Sequence, residues 1–268
     1  MRRCPNTRES IMMVYTKNLV LVCTGRDTAR AAGQGMPVLH LCLGITPKGA
    51  LQRLQLPTAQ AHCLLGLCDP PLDLAMCNPE RLAADLVYEA RRTGAPGVFA
   101  DFEHDTPRGR ALLAAFDTAL HDAGIPFFVP LSCGRQLTHA ILTTPTALSG
   151  GSLTAYISSL QGIYGAARIA AFLQPVSQDF MLPSNTPNGN ILTKTEREAL
   201  LARTGAQAFF SRELCAKYFT YTDPDGRAHF VLFDDASTLE AKLAQLAGCG
   251  VQTVFALFPD AEELLSPS

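Results

Sequence analysis

The stretch NPERLAADLVYEARRTGAPGVFADFE, residues 78–103, contains one complete unit of the predicted fold: a helix that leads directly into a strand. Asn78 is a typical N-cap, Pro79 suits the first helical position, and Gly94 ends the helix. The apolar run that begins at Gly97 has the length and composition of a buried strand. Helices that alternate with buried strands are typical of α/β proteins with a parallel sheet.

Seven further apolar runs alternate with amphipathic segments in the same way. The predicted strands are LVLVCTG (19–25), with MMVYT (12–16) as the alternative first strand, PVLHLCLGIT (37–46), AHCLLGLCD (61–69), GVFADFE (97–103), IPFFVPLS (125–132), AILTTPTALSG (140–150), RIAAFLQPVSQDFML (168–182) and VQTVFALFP (251–259). Eight strands in a chain of 268 residues suit a (βα)8 barrel, which takes about 250 residues. We therefore expect an α/β fold of the TIM-barrel type.

One segment breaks this alternation. Residues 209–235, FFSRELCAKYFTYTDPDGRAHFVLFDD, read as two strands joined by the turn DPDG, where Pro224 and Gly226 supply the backbone angles of a tight turn. This pattern predicts a small α+β or hairpin insertion, at about 206–235, before the last barrel strand. We expect a disordered start at 1–11 and a single barrel domain at 12–268.

Composition narrows the class of partner. The net charge is −2, 17% of residues are charged and 47% are hydrophobic, and basic residues do not cluster beyond the initial MRR. Nucleic-acid binding needs a basic surface, and a membrane span needs about 20 consecutive apolar residues, so we expect neither partner. The N-terminus lacks the continuous apolar core of a signal peptide, which favours the cytoplasm, with association with a spore or cell wall as the alternative.

The nine cysteines predict reduced thiols rather than disulfides, because Cys23, Cys42, Cys63 and Cys215 lie within apolar strands. The cluster His62, Cys63, Cys68 and Cys77 lacks the C-x2-C spacing of a zinc site. We expect no metal and no cofactor.

The end of the fourth predicted strand carries two acids. Asp101 and Glu103 share one strand face, and the carboxyl ends of barrel strands form the active-site mouth. Glu103 would then lie at the last strand position, with Asp101 one layer below. Mutual repulsion and partial burial raise carboxyl pKa values, so one of the two could stay protonated and act as a general acid. The alternative is structural: Asp101 caps the next helix or pairs with Arg108, and Glu103 is a solvated loop residue.

The run PGVFADFE, residues 96–103, resembles the fourth-strand signature D-G-x-D-x-D-x-E of glycoside hydrolase family 18, the chitinase-like family. Gly97, Asp101 and Glu103 match this signature, while Pro96 and Phe99 replace its first two acids. Residues 218–259 are similar to the family's insertion and final βα unit, with a Tyr-rich strand, a turn, FDD, a Ser and a Lys-bearing helix in that order. The resemblance covers most of the chain from about residue 12 to 259.

The resemblance implies a substrate-assisted mechanism without an enzymic nucleophile, in which the 2-acetamido carbonyl of the substrate attacks the anomeric carbon. Glu103 would protonate the leaving oxygen and then activate water, and Asp101 would orient and polarise the acetamido group. The chain departs from the family at three points. It lacks the Met-x-Tyr-Asp run of the sixth strand, where AILTTPTALSGG stands and Tyr156 follows in the next helix; its third strand ends in GLCD rather than Ser-x-Gly-Gly; and it has no Trp.

Four further residues are predicted to bind substrate. Asp69, after the third strand, would line the mouth or cap the turn into PPLD. Gln174 and Gln178 would share one face of the seventh strand, as ligand contacts or as a satisfied polar core. Tyr221 in the insertion would contact a sugar or pack on its sheet. His104 is expected to be a rim residue whose side chain points away from the acid pair.

The leading functional hypothesis is a glycosidase that acts on N-acetylated amino-sugar glycans, in chitin-like oligomers or peptidoglycan fragments. The alternative is a catalytically silent carbohydrate-binding barrel with the same fold. A third class, an amidohydrolase or aldolase type of barrel, is disfavoured because no His-x-His pair and no Lys at a clear strand end are found. The oligomeric state stays open at this level.

Overall fold

The computed structural model describes residues 18–25, 27–54, 63–71, 77–148, 150–183 and 189–265, and these residues form a closed parallel barrel beside a smaller antiparallel sheet. The barrel strands follow one another in the order β1-β14-β8-β7-β6-β5-β4-β2, and pairing of β1 with β2 closes the ring. The barrel strands are β1 Leu19–Cys23, β2 Val38–Ile45, β4 Cys63–Cys68, β5 Val98–Asp101, β6 Phe127–Pro130, β7 Ile141–Pro145, β8 Ile169–Leu173 and β14 Val254–Leu257, and a short β3, Leu51–Arg53, pairs antiparallel with β2. The predicted (βα)8 barrel is confirmed.

Helices connect the strands and form the outer layer. They are α1 Thr28–Ala32, α2 Pro79–Thr93, α3 Pro107–Asp122, α4 Leu131–Gly134, α5 Leu153–Tyr164, α6 Lys194–Thr204, α7 Ala236–Gly248 and α8 Phe258–Leu265. As predicted, the Asn78 side chain accepts from the amide of Arg81 at the start of α2, and Gly94 ends that helix in the left-handed conformation at φ 65°. Thr106 caps α3 by accepting from the amide of Gly109. Asp101 is therefore not the cap of this helix.

Two layers of apolar side chains hold the barrel together. The interior cluster contains one or two residues from most of the strands, namely Val20, Val22, Leu39, Leu64, Phe99, Phe128, Ala170 and Phe255. The rings of Phe99 and Phe128 both contact Phe255 edge-on, at 5.0 Å and 5.1 Å between centroids. Alternate residues of the same strands, such as Val98 and Ala100, pack outward against the helices. Apolar side chains therefore fill the barrel interior, and polar side chains lie where the strands end.

The smaller sheet has five antiparallel strands in the order β10-β9-β13-β12-β11. They are β9 Ser177–Met181, β10 Asn190–Ile191, β11 Phe209–Ser211, β12 Ala216–Thr222 and β13 Ala228–Phe233, with α6 between β10 and β11. The predicted hairpin is the β12–β13 pair, whose turn contains Gly226 at φ 81°. The smaller sheet thus begins at Ser177, well before the predicted insertion at 206–235.

The seventh predicted strand, residues 168–182, is two strands of two different sheets. The barrel strand β8 ends at Leu173, and β9 begins at Ser177 and pairs with β13 and β10. Pro175 lies in the break and has no amide hydrogen for a strand ladder. Prediction of one continuous strand was wrong at this point.

The first predicted strand, residues 19–25, is confirmed as β1, and the alternative at 12–16 lies outside the described residues, as does the predicted disordered start. Cys23, Cys42, Cys63 and Cys215 are buried and carry free thiols, as expected. Of the four residues that were predicted not to form a zinc site, His62 lies outside the described residues.

Candidate active site

Asp101 and Glu103 follow one another at the mouth of the barrel. Strand β5 ends at Asp101, so Glu103 lies two residues beyond the strand rather than at its last position. Phe99 belongs to the barrel interior, and alternation places the half-buried Asp101 above it on the same face. Phe102 is fully buried in the layer beneath the helices, whereas Glu103 is exposed. The segment therefore turns Asp101 and Glu103 towards the mouth and Phe102 away from it.

The acids at the mouth repel each other as anions. Burial raises the pKa of Asp101 above its usual range, and the negative charges of Glu103 and then Asp69 raise it further. Cys68 lies on β4 and is paired in register with Asp101 of β5. Its pKa is also raised, mainly by burial and additionally by the charge of Asp101. Burial and the neighbouring charges thus favour the protonated form of Asp101.

Asp69 lies at the mouth, beside the acid pair. Its Oδ2 atom accepts the backbone amide hydrogen of Glu103, with the N and O atoms 3.0 Å apart. The same oxygen lies 2.8 Å from Nδ1 of His104. His104 is a rim residue as predicted, with 63% of its side chain exposed, but its ring turns towards Asp69. Hydrogen bonding to Asp69 and the charge of that carboxylate raise the pKa of His104.

A cavity of about 420 Å³ opens beside this contact. Its lining consists of Asp69, Pro70, Pro71, His104, Thr106, Pro107 and Arg108. Asp69, Glu103 and His104 also offer three ligand atoms within 4.8 Å of one another, a spacing that a divalent cation could bridge. All three side chains are accessible to solvent, and two of them already contact one another, so the geometry alone assigns no ion to this place.

The two glutamines predicted to bind substrate belong to different parts of the fold. Gln174 is exposed just beyond the end of β8, where its backbone amide donates to Oγ1 of Thr146 at 3.1 Å. It therefore belongs to the mouth side of the barrel. Gln178 lies on β9, opposite Leu232 and Ile191. The shared strand face that was predicted for the pair is wrong, because the chain leaves the barrel between them.

Tyr221 is part of a polar network in the smaller sheet. Its hydroxyl donates to Oδ2 of Asp179 at 2.7 Å, and its ring stacks on His229 with the centroids 4.5 Å apart. Burial and the neighbouring carboxylate raise the pKa of Tyr221 to about 12. Its ring also packs with Phe219 and the other apolar residues around α6. A sugar contact by Tyr221 stays a prediction.

Tyr156 occupies the helical layer behind the barrel. It lies on α5, as predicted, and its hydroxyl is 2.7 Å from Oγ1 of the buried Thr144 on β7. Leu142, two residues earlier on the strand, packs with the same outer cluster, so Thr144 faces the helices too. Thr143 lies on the interior face of β7, as does Ile141, which packs against the interior cluster. Tyr156 therefore does not replace the sixth-strand Tyr of the chitinase-like family.

Solved structures with the same architecture are chitinases and a spore cortex-lytic enzyme. The enzyme SleL of Bacillus cereus matches with a TM-score of 0.62 and 14% identity over 92% of this chain and 73% of that chain. A chitinase of Chromobacterium violaceum matches with a TM-score of 0.59 and 16% identity over 93% and 99%. The family 18 chitinase of Cycas revoluta in complex with allosamidin gives 0.58 and 11% over 92% and 96%.

The chain has the fold of the family 18 glycoside hydrolases. A scan against protein-family models finds no match, and neither does a search of curated proteins. In the part of the chain that is described, no helix combines the length and the apolar character that crossing a membrane requires.

Proposed function

We propose that this protein is a glycoside hydrolase that acts on N-acetylated amino-sugar glycans, either chitin-like oligomers or peptidoglycan fragments. The observation that supports this most is the pair Asp101 and Glu103 at the carboxyl end of β5, the fourth strand of a family 18 type of barrel. A solved structure of the Cycas revoluta chitinase holds (GlcNAc)4, and SleL is named as a spore cortex-lytic enzyme. The bound (GlcNAc)4 of the Cycas revoluta structure supports an N-acetylated amino-sugar glycan as the substrate class.

Glu103 is the general acid and base of this proposal. It is exposed at the mouth, where a glycosidic oxygen can approach its carboxyl group. In the first step the Glu103 proton passes to the leaving oxygen while the substrate's acetamido oxygen bonds to the anomeric carbon and the glycosidic bond breaks. In the second step Glu103 takes a proton from water, whose oxygen attacks the anomeric carbon and opens the cyclic oxazolinium. The configuration is retained.

Asp101 stabilises the intermediate and competes for the proton. As an anion it faces the acetamido nitrogen, which gains positive charge in the oxazolinium. Burial and the neighbouring acids raise the pKa of Asp101, so the ionised form is costly until that positive charge develops beside it.

The test is hydrolysis of an aryl N-acetylglucosaminide and an aryl N,N′-diacetylchitobioside by the native protein and by Glu103→Gln. Removal of the titratable proton at nearly constant shape should lower kcat by about 10²- to 10⁴-fold. Glu198→Gln, the same change at an exposed position of α6, is the matched control and should keep native kcat. Equal turnover by Glu103→Gln and the native protein would exclude Glu103 as the acid.

The second candidate is a carbohydrate-binding barrel without catalysis. The position of Tyr156 favours it, because the hydroxyl of this residue contacts Thr144 behind β7 and is not at the mouth. Substrate-assisted hydrolysis needs a donor to the acetamido oxygen, and Tyr156 does not supply it. Calorimetric titration with (GlcNAc)4 distinguishes the two: binding without release of an aryl group from either substrate supports the silent barrel, whereas turnover refutes it.

A further inference from the structure

We infer that Asp69 is a positioning residue for Glu103, and that it holds the backbone of Glu103 from the neighbouring barrel strand. This inference rests on the proposed function, since Glu103 is the acid whose placement matters. Asp69 is one residue beyond the end of β4, and Glu103 is two residues beyond the end of β5. The two strands are parallel neighbours, with Cys68 opposite Asp101.

The hydrogen bond between Asp69 and Glu103 lies just beyond the last residues that pair between β4 and β5. Strand β5 closes at Asp101, so the amide of Glu103 extends past the regular backbone pairing of the sheet. Oδ2 of Asp69 accepts this amide hydrogen at 3.0 Å. A hydrogen bond to a carboxylate is stronger than one between neutral groups. Asp69 therefore continues the connection between β4 and β5 for two residues, with a side chain in place of a backbone carbonyl.

The other side of the segment is fixed by Phe102. Its side chain is fully buried in the layer between the barrel and the helices. Its carbonyl oxygen accepts from Sγ of Cys133 at 3.2 Å. With Phe102 packed outward and the next amide held by Asp69, the backbone that carries the Glu103 side chain is restrained from both sides. Catalytic groups act only when their placement is accurate, and an error of 1 Å can cost about 10²-fold in rate.

His104 fixes the rotamer of Asp69. Its Nδ1 atom contacts the same Oδ2 atom at 2.8 Å, so a single carboxylate oxygen joins a backbone amide and an imidazole from consecutive residues. The charges of Asp69 and Glu103 both raise the pKa of this imidazole, and Arg108 lies in the lining of the adjoining cavity. Asp69 and His104 therefore act through Glu103, and no direct contact with the reacting atoms is needed.

Three variants separate the anchoring bond from the charge of Asp69. Asp69→Ala removes both and should lower kcat on the aryl N,N′-diacetylchitobioside by about 10- to 100-fold, with KM changed by less than about twofold. Asp69→Asn keeps an oxygen that can accept from the Glu103 amide, so kcat should stay within about threefold of the native value. Asp105→Ala removes an exposed carboxylate of the same loop, one that pairs with Arg110, and should have native kcat.

Two NMR measurements on the full chain report on the anchor without turnover. In Asp69→Ala the Glu103 amide hydrogen should exchange faster with solvent, and in Asp69→Asn it should stay protected. The pKa of His104 should fall in both variants, because the neighbouring negative charge is lost. Asp105→Ala should leave the exchange rate of the Glu103 amide unchanged.

The outcomes distinguish this inference from the hydrolase proposal. Native kcat in Asp69→Ala, or unchanged exchange of the Glu103 amide in that variant, overturns the positioning role. If the native protein releases no aryl group, the hydrolase proposal fails, and faster exchange of the Glu103 amide in Asp69→Ala still supports the anchor. If Asp69→Ala does not fold, the comparison of Asp69→Asn with the native protein decides: a kcat lowered as much as about 10-fold refutes the role of the retained hydrogen bond.

Discussion

Replacement of Lys242 by Met should leave the buried carboxylate of Asp234 without its cation. Nζ of Lys242 lies 2.5 Å from Oδ2 of Asp234, and the two side chains are 1% and 0% exposed. The same carboxylate accepts the amide of Val176, between β8 and β9, and the hydroxyl of Thr238 on α7. These bonds prevent Asp234 from rotating out to water. The carboxylate thus joins the smaller sheet, the barrel and a helix, which agrees with the structural role expected for the FDD segment.

The magnitude follows from burial. Removal of one partner from a fully buried ion pair costs about 3–5 kcal/mol, because the remaining charge is neither solvated nor paired. For a chain of this size, each kcal/mol corresponds to about 2–4 °C in Tm, so Lys242→Met should lower Tm by about 6–20 °C. The double variant Lys242→Met with Asp234→Asn removes both charges and should recover part of the loss, as expected for residues in direct contact.

The assay is urea unfolding at pH 7 with Lys217→Met as the matched control. Nζ of Lys217 lies at the same distance, 2.5 Å, from Oδ2 of Asp235, but both side chains are 31% exposed. Solvent therefore compensates for the loss of that cation, and the control should cost about 1 kcal/mol or less. Equal losses of unfolding free energy in the two Lys→Met variants would refute burial as the reason for the difference.

Two further predictions concern carboxyl groups. Hydrogen bonds from two arginines lower the pKa of the buried Glu89 to about 2. A depressed folded-state pKa stabilises the fold above the usual glutamate pKa of about 4.3, and that contribution is lost as pH falls towards 2. Because both guanidinium groups are exposed to solvent, this contribution to stability is limited to about 1–2 kcal/mol. Glu89→Gln should therefore lower the unfolding free energy by this amount at pH 7 and by progressively less at pH 4 and 3. A loss of unfolding free energy that does not depend on pH contradicts the pairing of Glu89 with the arginines. At the mouth, Glu103→Gln should lower the pKa of Asp101, which carbon NMR of its carboxyl group measures. That pKa should stay above the usual aspartate range, because burial is the larger cause of its rise. An unchanged Asp101 pKa would mean that the two acids are not coupled.

The eight barrel strands were predictable because each is a short apolar run bounded by turn residues. The caps of α2 were predictable as well, since Asn78, Pro79 and Gly94 act locally. The division of residues 168–182 between two sheets was missed, although Pro175 was a signal: a residue without an amide hydrogen is disfavoured inside a buried strand. The remaining strands of the smaller sheet depend on pairing between segments about 50 residues apart, such as β9 with β13. A local sequence pattern does not predict pairing over that separation.

At the candidate site, the spacing of Asp101 and Glu103 needed only strand alternation, because both lie within three residues of one strand end. The interaction of Asp69 with Glu103 was not predicted, since the two are 34 residues apart and their contact depends on the loops. Parallel-barrel geometry nevertheless limits the choice of neighbours. Residues just beyond the ends of adjacent strands meet, and the amide of Gln174 after β8 contacts Thr146 after β7 in the same manner. A polar residue that follows a barrel strand is therefore most readily predicted to contact the residues that follow the two neighbouring strands. For Glu103, the neighbouring strands are β4 and β6, and Asp69 follows β4.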